Sequence, residues 1–539
     1  MTSEIIDREA RNIFNLAAIS LPPPHAVNDL LSIGVCVRCI FRSFGAHGSV
    51  YSCSSLTAPM LLSFLREEKG FHSDSSENGI DFDNDDSYCC VCLGILQLAS
   101  DSDREMGKCE EKASVGGFVE RVGEVIRREN HQIDGFSLEI SIPPVIAANE
   151  RALRLYLKKK YDCEEWFKDK FPSEQITVKD ALRLLITSAL EKHLDAKSGA
   201  NEFRIRFMYT HSESSAKLQC LLANGHGCKR RKIEATVGIV VDLNGRTRKD
   251  SNAVCSESDA AILRALSSLQ DHMFIEQFML PPQKVSKPCQ LTTTCHRMPI
   301  YIGGRYLKLS RKVSQSRWII DDERMGEASV EEIIGDNALA ICKGDSYKFH
   351  AAGREDIDVR MLGSGRPFLV EVLNARCMPS TVDVQQVADT INNSPERYVT
   401  VRNLKVLGSE IWTLMREGEA EKQKQYSALV WTSRPLTEED LDHISSIENM
   451  EILQRTPIRV LHRRSPLERK RIIHWMRVEK IAGSCQYFLL HLCAQAGTYI
   501  KEFVHGDLGR THPSIGFILG CRAEILQLDV TDVKMDFFD

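Results

Sequence analysis

Two pairs of cysteines constrain how the first hundred residues of this chain can fold. Cys36-Val37-Arg38-Cys39 and Cys89-Cys90-Val91-Cys92 both contain the x-x spacing that lets two thiolates reach one tetrahedral metal. The 49 residues between Cys39 and Cys89 exceed the interval usual in zinc ribbons. Within that interval, Glu67-Glu68-Lys69-Gly70 through Asp83-Asn84-Asp85-Asp86 is acidic and poor in apolar residues, which reads as a solvated insertion near residues 67–88 dividing a single module. Either pair alone fits a redox dithiol as well as a metal. Two pairs favour one structural zinc held by Cys36, Cys39, Cys89 and Cys92, with no coordination position left open.

Eighteen cysteines do not imply a disulfide framework here, because Glu4, Asp7 and Glu9 argue against a secretory signal or an acid-poor transit peptide. The expectation is a protein of the nucleus or cytoplasm, or of both, that is not secreted. No run approaches the ~18 uninterrupted apolar residues of a membrane span, so no membrane partner is expected.

A chain of 539 residues exceeds what one core serves, and 43% hydrophobic against 27% charged residues suits packed domains rather than disorder. Ile13 to Ile19 is apolar-periodic. Phe136 to Ile142 and Phe203 to Phe207 alternate like strands, Glu150 to Tyr161 and Val178 to His193 are helical in pattern, and Ala235 to Asp242 suits a buried strand. Pro281-Pro282 marks a boundary near residue 285. Beyond it, Pro299 to Leu307, Pro367 to Leu373, Tyr398 to Val401, Tyr426 to Trp431 and Gln486 to Cys493 read as strands, with a helix over Val330 to Ile341. The fold class expected is α+β: a module at 1–130, an accessory region at 131–285 and a mixed, largely antiparallel catalytic domain at 286–539, acting as a monomer.

Function is concentrated in Ala351 to Phe368, which packs carboxylates, arginines and glycines together as a loop at a strand end would. A solvated turn with surface ion pairs has the same composition. The net charge of −5 does not announce a nucleic-acid binder, but a whole-chain average hides local patches.

Gly353-Arg354-Glu355-Asp356-Ile357-Asp358-Val359 resembles the Gly-Arg-Thr-Asp-x-Gly-Val loop of pseudouridine synthases. The resemblance makes Asp356 the catalytic carboxylate, places Asp358 where other branches have glycine, leaving it as the alternative catalyst, and assigns Arg354 to the substrate. Ala496-Gly497-Thr498-Tyr499-Ile500-Lys501 with Asp507-Leu508-Gly509 resembles a motif of the TruB branch, which implies that Lys501 pairs with Asp356 and Tyr499 contacts the target base. With Lys424 to Trp431 and Thr456 to Arg464 added, the chain is similar to the archaeal and eukaryotic tRNA pseudouridine synthases that act on uridines 54 and 55 of the TΨC arm, strongly over about 290–530 and weakly before it.

The resemblance further implies that Tyr426 contacts the substrate, although its strand setting suits ordinary core packing too. It implies a thumb loop presenting Arg459, His462, Arg463 and Arg464, continued by Arg469, Lys470 and Arg471, and a forefinger loop at Ser316 to Ser329 with Trp318 and Arg324. Residues 131–285 would hold a THUMP-like RNA-binding fold, and Cys228 to Lys232 is a short basic run suited to tRNA or to an import receptor. The implied partner is tRNA, with other structured RNA possible in kind. Apart from the structural zinc no cofactor is expected, since isomerisation needs neither redox group nor ATP. A noncatalytic RNA-binding or RNA-processing scaffold is the rival reading, but it has no need of Asp356, Tyr426 and Lys501 together.

Overall fold

In the computed structural model the described residues are 2–51, 56–69, 87–98, 114–171, 175–225, 239–241, 247–249, 251–413, 415, 423–462 and 464–534. Most of the acidic interval, the run Cys228 to Lys232 and Arg463 lie outside them. The chain divides into two units, Met1–His296 and Arg297–Asp539. Among the described residues no helix is long and apolar enough to cross a membrane.

The first unit opens with the helix Thr2–Ala17, whose Ala10, Ile13, Phe14 and Ala17 are buried at i, i+3, i+4 and i+7, one apolar stripe of a helix. It stops before Pro22-Pro23-Pro24, and Pro24 starts the next helix, Pro24–Ser32, where a missing N–H costs nothing. Ile19 therefore falls outside the helix and is exposed. A four-stranded sheet runs in the order Lys197–Ser198, Gly135–Ser141, Phe203–Thr210, Gln290–Arg297. Its central pair is parallel, and the helices Val145–Tyr161 and Val178–Leu194 occupy the crossover that parallel pairing requires. Phe203, Ile205, Phe207 and Tyr209 face the core while Arg204, Arg206 and Met208 line the half-exposed face. Of the expected Ala235 to Asp242 strand, Ile239–Val241 is a strand and the rest lies outside the described residues.

The second unit is built on a ten-stranded mixed sheet in the order Val399–Leu407, Ile300–Lys308, Val359–Leu373, Ala523–Val533, Lys424–Thr432, Tyr487–Ala494, Glu468–Lys480, Glu448–Arg455, Thr511–His512, with Ser346–Ala351 also on Val359–Leu373. Among the described residues the one parallel pairing of this sheet joins Val359, Arg360 and Met361 to Leu528, Asp529 and Val530; the other pairings are antiparallel. Helix Val330–Cys342 is capped by Ser329, whose hydroxyl accepts the Glu332 N–H.

Half of the segment expected as a loop is in fact the start of the strand Val359–Leu373. The sequence signal misleads because Gly363 and Gly365, which suggest a turn, adopt φ +65° and +84° inside the strand, where its register against Ile300–Lys308 shifts between Met361 and Arg366. That bulge lets the strand's first residues pair with Ala523–Val533 and its last six with Ser346–Ala351. The loop proper shrinks to 352–358. Arg469, Lys470 and Arg471, expected to continue the thumb loop, lie in the strand Glu468–Lys480.

A Cβ at Gly363 would sit 1.7 Å from the Thr531 carbonyl oxygen, whereas one at Gly509, also at positive φ, meets nothing within 4 Å. Gly509→Ala should then cost only the left-handed penalty of about 1–2 kcal/mol. Gly363→Ala should cost about 1–3 kcal/mol more from overpacking. Denaturant midpoints of the two variants test the difference.

Candidate active site and metal cluster

The short loop 352–358 is held by its own backbone carbonyls. Lys308, wholly buried, donates to Ile357 O at 2.8 Å, Val313 O at 2.9 Å and, more distantly, Asp356 O at 3.4 Å. Arg366 donates to Ala352 O at 2.8 Å, Gln315 to Gly353 O at 2.9 Å and Arg311 to Asp358 O at 2.7 Å. Burial pushes the Lys308 ammonium down to about 8, against the pull of Glu355 and Asp358. Gly353 sits at φ +96°, the left-handed region that favours glycine, and a Cβ there would have to displace the Lys424 amine and the Arg366 guanidinium, 2.4 and 2.7 Å away.

Two adjacent carboxylates of this loop differ in burial and in partners. Glu355 points into the core, where its Oε2 accepts from Arg366 Nε at 2.7 Å and its Oε1 from the Tyr306 hydroxyl at 2.7 Å, which in turn accepts from Gln315 at 2.8 Å. Asp356 is more exposed and opens into a cleft of about 800 Å³, whose wall Glu355 also joins. That cleft is lined by seven cationic residues, Arg354, Arg366, Lys424, Arg459, Arg464, Arg471 and Lys501, against two carboxylates, Glu355 and Asp356. A chain of net charge −5 thus presents a basic pocket, the local patch that suits a phosphate-bearing ligand.

Five expected site residues meet here: Asp356, Lys501, Tyr426, Tyr499 and Arg354. Tyr426 is both core and wall; it is buried on the strand Lys424–Thr432, and burial pushes its hydroxyl up to about 12. Tyr499 leads into the helix Ile500–His505, and its backbone N–H and C=O are both bonded by the Gln454 side-chain amide at 3.0 Å. Lys501 pairs with Asp356 as expected, and it has a second partner in Asp358. Its ammonium is ion-paired with Asp356 Oδ2 at 3.4 Å and also donates to both oxygens of Asp358, at 2.8 and 3.0 Å. Burial opposes ionisation of Asp358, yet this ammonium holds it below the usual carboxylate range.

Arg459, expected only to grip RNA, enters the site instead: its Nη1 donates to Asp356 Oδ2 at 3.1 Å and its Nε to Glu502 Oε1 at 2.7 Å. Of the other thumb residues, Arg464 lines the cleft, His462 is exposed, and Arg463 lies outside the described residues. In the forefinger region Ile319–Ile320 and Glu323–Arg324 form a hairpin whose Trp318, Ile319 and Ile320 are exposed, while Arg324 is ion-paired with Glu332. Glu355, Arg366, Tyr306, Lys308, Gln454 and Glu502 were not legible as site residues, since each is recognisable only by its partner.

In the first unit, Cys36, Cys39, Cys89 and Cys92 converge, their sulfurs all within 4.8 Å of one another. Cys36 Sγ and Cys92 Sγ are 3.8 Å apart, the edge of about 3.8 Å that a tetrahedron with ~2.3 Å metal–sulfur bonds would have. The donor set therefore fits a metal ion, and Cys90 stands outside it. Contact with Cys39 pushes the Cys36 thiol up, and burial does the same to Cys92; burial also opposes ionisation of Cys89, but hydrogen bonds from the neighbouring thiols outweigh it and hold Cys89 low. The buried Arg42 supplies positive charge, its Nε 3.4 Å from Cys39 Sγ and its Nη1 2.8 Å from Glu150.

The comparisons with known proteins put this mixed sheet and its basic cleft in the pseudouridine synthase class, that of an isomerase. Family models described as "Pus10, C-terminal" and "Eukaryotic Pus10, N-terminal" match residues 301–534 and 89–295. The mouse protein named tRNA pseudouridine synthase Pus10 is 32% identical over 95% of this chain and 97% of its own length; the human one is 33% identical over 84% and 79%. That of the archaeon Thermofilum pendens is 39% identical over 44% of this chain and 53% of its own. This chain belongs to the Pus10 family.

Because Arg366 and Glu355 are both almost wholly buried, Glu355→Gln leaves a cation without its counter-charge and should cost about 3–5 kcal/mol of stability. Arg354→Gln, at an exposed position next to it, should stay within about 0.5 kcal/mol. Urea unfolding of both variants checks the contrast.

Proposed function

We propose that this chain converts uridine 54, uridine 55 or both in the TΨC arm of tRNA to pseudouridine, with Asp356 as the catalytic carboxylate. The observation that carries the reading is Asp356 itself, presented from a clamped loop into a cleft dominated by cations. The names of the relatives support tRNA as the substrate.

Isomerisation breaks the bond from N1 to ribose C1′, turns the base, joins C5 to C1′ and moves the C5 proton away as N1 gains one. Atoms and electrons balance within the nucleotide, so the reaction calls for no redox partner. Asp356 acts at the sugar, as nucleophile at C1′ or as base at C2′. The uridine must first leave its stack, costing a few kcal/mol that Tyr426, Tyr499 and backbone contacts offset. Arg354, Arg464 and Arg471 are placed to receive phosphates along the cleft.

In this reading the four cysteines hold one structural zinc, which fastens the two halves of the N-terminal module, and residues 131–285 form a THUMP-like surface for the same tRNA. The zinc supplies no step of the chemistry.

Purified protein and an unmodified tRNA transcript should yield pseudouridine in the TΨC arm, and Asp356→Asn should lower the rate by at least about 10²–10⁴-fold with tRNA affinity nearly unchanged. Equal activity of Asp356→Asn would transfer the role to Asp358 or end the proposal. Metal analysis should return one zinc per chain. Chelation should open the first unit, Met1–His296, to limited proteolysis while Arg297–Asp539 stays resistant; equal sensitivity of the two would remove the structural role.

A further inference from the structure

Charges around Asp356 are shared in a way the motifs do not announce. Three carboxylates, Asp356, Asp358 and Glu502, meet two cations, Arg459 and Lys501. Lys501 is shared: it gives two hydrogen bonds to Asp358, at 2.8 and 3.0 Å, and forms a longer ion pair with Asp356, at 3.4 Å. Arg459 is the group hydrogen-bonded to the Asp356 side chain, at 3.1 Å.

The guanidinium is itself fixed from behind. Glu502 is 1% exposed, its Oε1 takes the Arg459 Nε at 2.7 Å, and its Oε2 is buried without a hydrogen-bond partner. A buried carboxylate so placed needs the positive charge of Arg459 as much as Arg459 needs an anchor. Arg459 belongs to the turn Ile458–Val460, fastened by Ile458 N–H to Asp507 Oδ2 at 3.3 Å. A planar fork that bonds one carboxylate through Nε and another through Nη1 fixes both in angle as well as distance, which an ammonium cannot do.

Resting on the reading of Asp356 as the catalytic carboxylate, we propose that Arg459, braced by Glu502, is the residue that fixes the orientation of Asp356, while Asp358 draws Lys501 into a shared, longer ion pair with it. The thumb turn is then part of the catalytic apparatus rather than only a grip on RNA. A carboxylate that must meet a ribose carbon in line tolerates little angular freedom, and its orientation is set by the fork of Arg459.

The test is single-turnover conversion of an unmodified tRNA transcript by the full-length protein, with tRNA affinity measured in parallel. Arg459→Gln should lower the rate constant by about 10²-fold while the dissociation constant for tRNA changes less than about threefold, the split expected when a reacting group is misplaced. Arg459→Lys should recover little, since one ammonium cannot span both carboxylates. Glu502→Gln should slow conversion by about tenfold with affinity intact, the guanidinium having lost its charged brace. Adding Asp358→Asn to Arg459→Gln should raise the rate again by freeing Lys501 for Asp356, a recovery that a purely structural Arg459 would not allow. Should Arg459→Gln fold poorly because Glu502 is left unpaired, Arg459→Gln/Glu502→Gln, neutral on both sides, carries the same comparison. Loss of affinity in proportion to rate, or full activity of Arg459→Gln, would overturn the proposal and return Arg459 to RNA binding alone. Asp356→Asn in the same assay separates this from failure of the underlying reading: if that variant is active, the carboxylate itself was misassigned.

Discussion

The buried pair of Glu355 with Arg366 is the constraint on which the site depends. With both Glu355 oxygens bonded, one by Arg366 and one by Tyr306, the loop is anchored beside Asp356, whose carboxylate is left to the cleft and its cations. Removing two charges from water is expensive, and such a pair adds little net stability over an apolar one. Its effect is to anchor the loop. A loop only seven residues long, with carbonyls at 352, 353, 356, 357 and 358 each bonded to a buried or half-buried side chain, has few alternatives left. Reactive geometry of this kind is fixed before the substrate arrives, the arrangement in which electrostatic groups are most effective.

Acidic and basic residues are distributed with a purpose that the average conceals. The chain as a whole is acidic, yet seven cations line the cleft around Asp356. Cations this close would repel one another were they not interleaved with Glu355, Asp356, Asp358 and Glu502, each tied to a cation within 3.1 Å. The result is a pocket positive enough to attract a phosphate backbone while its own carboxylates remain fixed in place.

The N-terminal cysteines solve a different problem. The entropic cost of closing a loop grows only with the logarithm of its length, so an acidic insertion between the two pairs weakens the cluster little. What the cluster does require is charge compensation, and the buried Arg42 provides it beside Cys39. Arg42 also reaches Glu150 and the Ile176 carbonyl, so the charge that serves the sulfurs joins segments more than a hundred residues away.

Strand and helix positions were legible where period and side-chain type agree: Val178–Leu194, Phe203–Thr210 and Lys424–Thr432 follow their apolar patterns. The convergence of Cys36, Cys39, Cys89 and Cys92, and of Asp356 with Tyr426, Tyr499 and Lys501, was legible because short spacings and local motifs name them without any partner. Long-range pairing was not. The bulge at Gly363 depends on Thr531, the facing of Glu355 on Arg366 and Tyr306, and the place of Arg459 on Glu502, and a turn-like glycine or a loop arginine reads the same in sequence whichever neighbour it meets. By itself, then, the sequence determined the class of enzyme, since its local motifs resemble those of a known family wherever they come to lie in the fold. That Arg459 joins Lys501 on Asp356, and that Asp358 takes a share of Lys501, was decided only by the tertiary structure, because an ion pair is set by distance and direction between segments that the chain separates by a hundred residues.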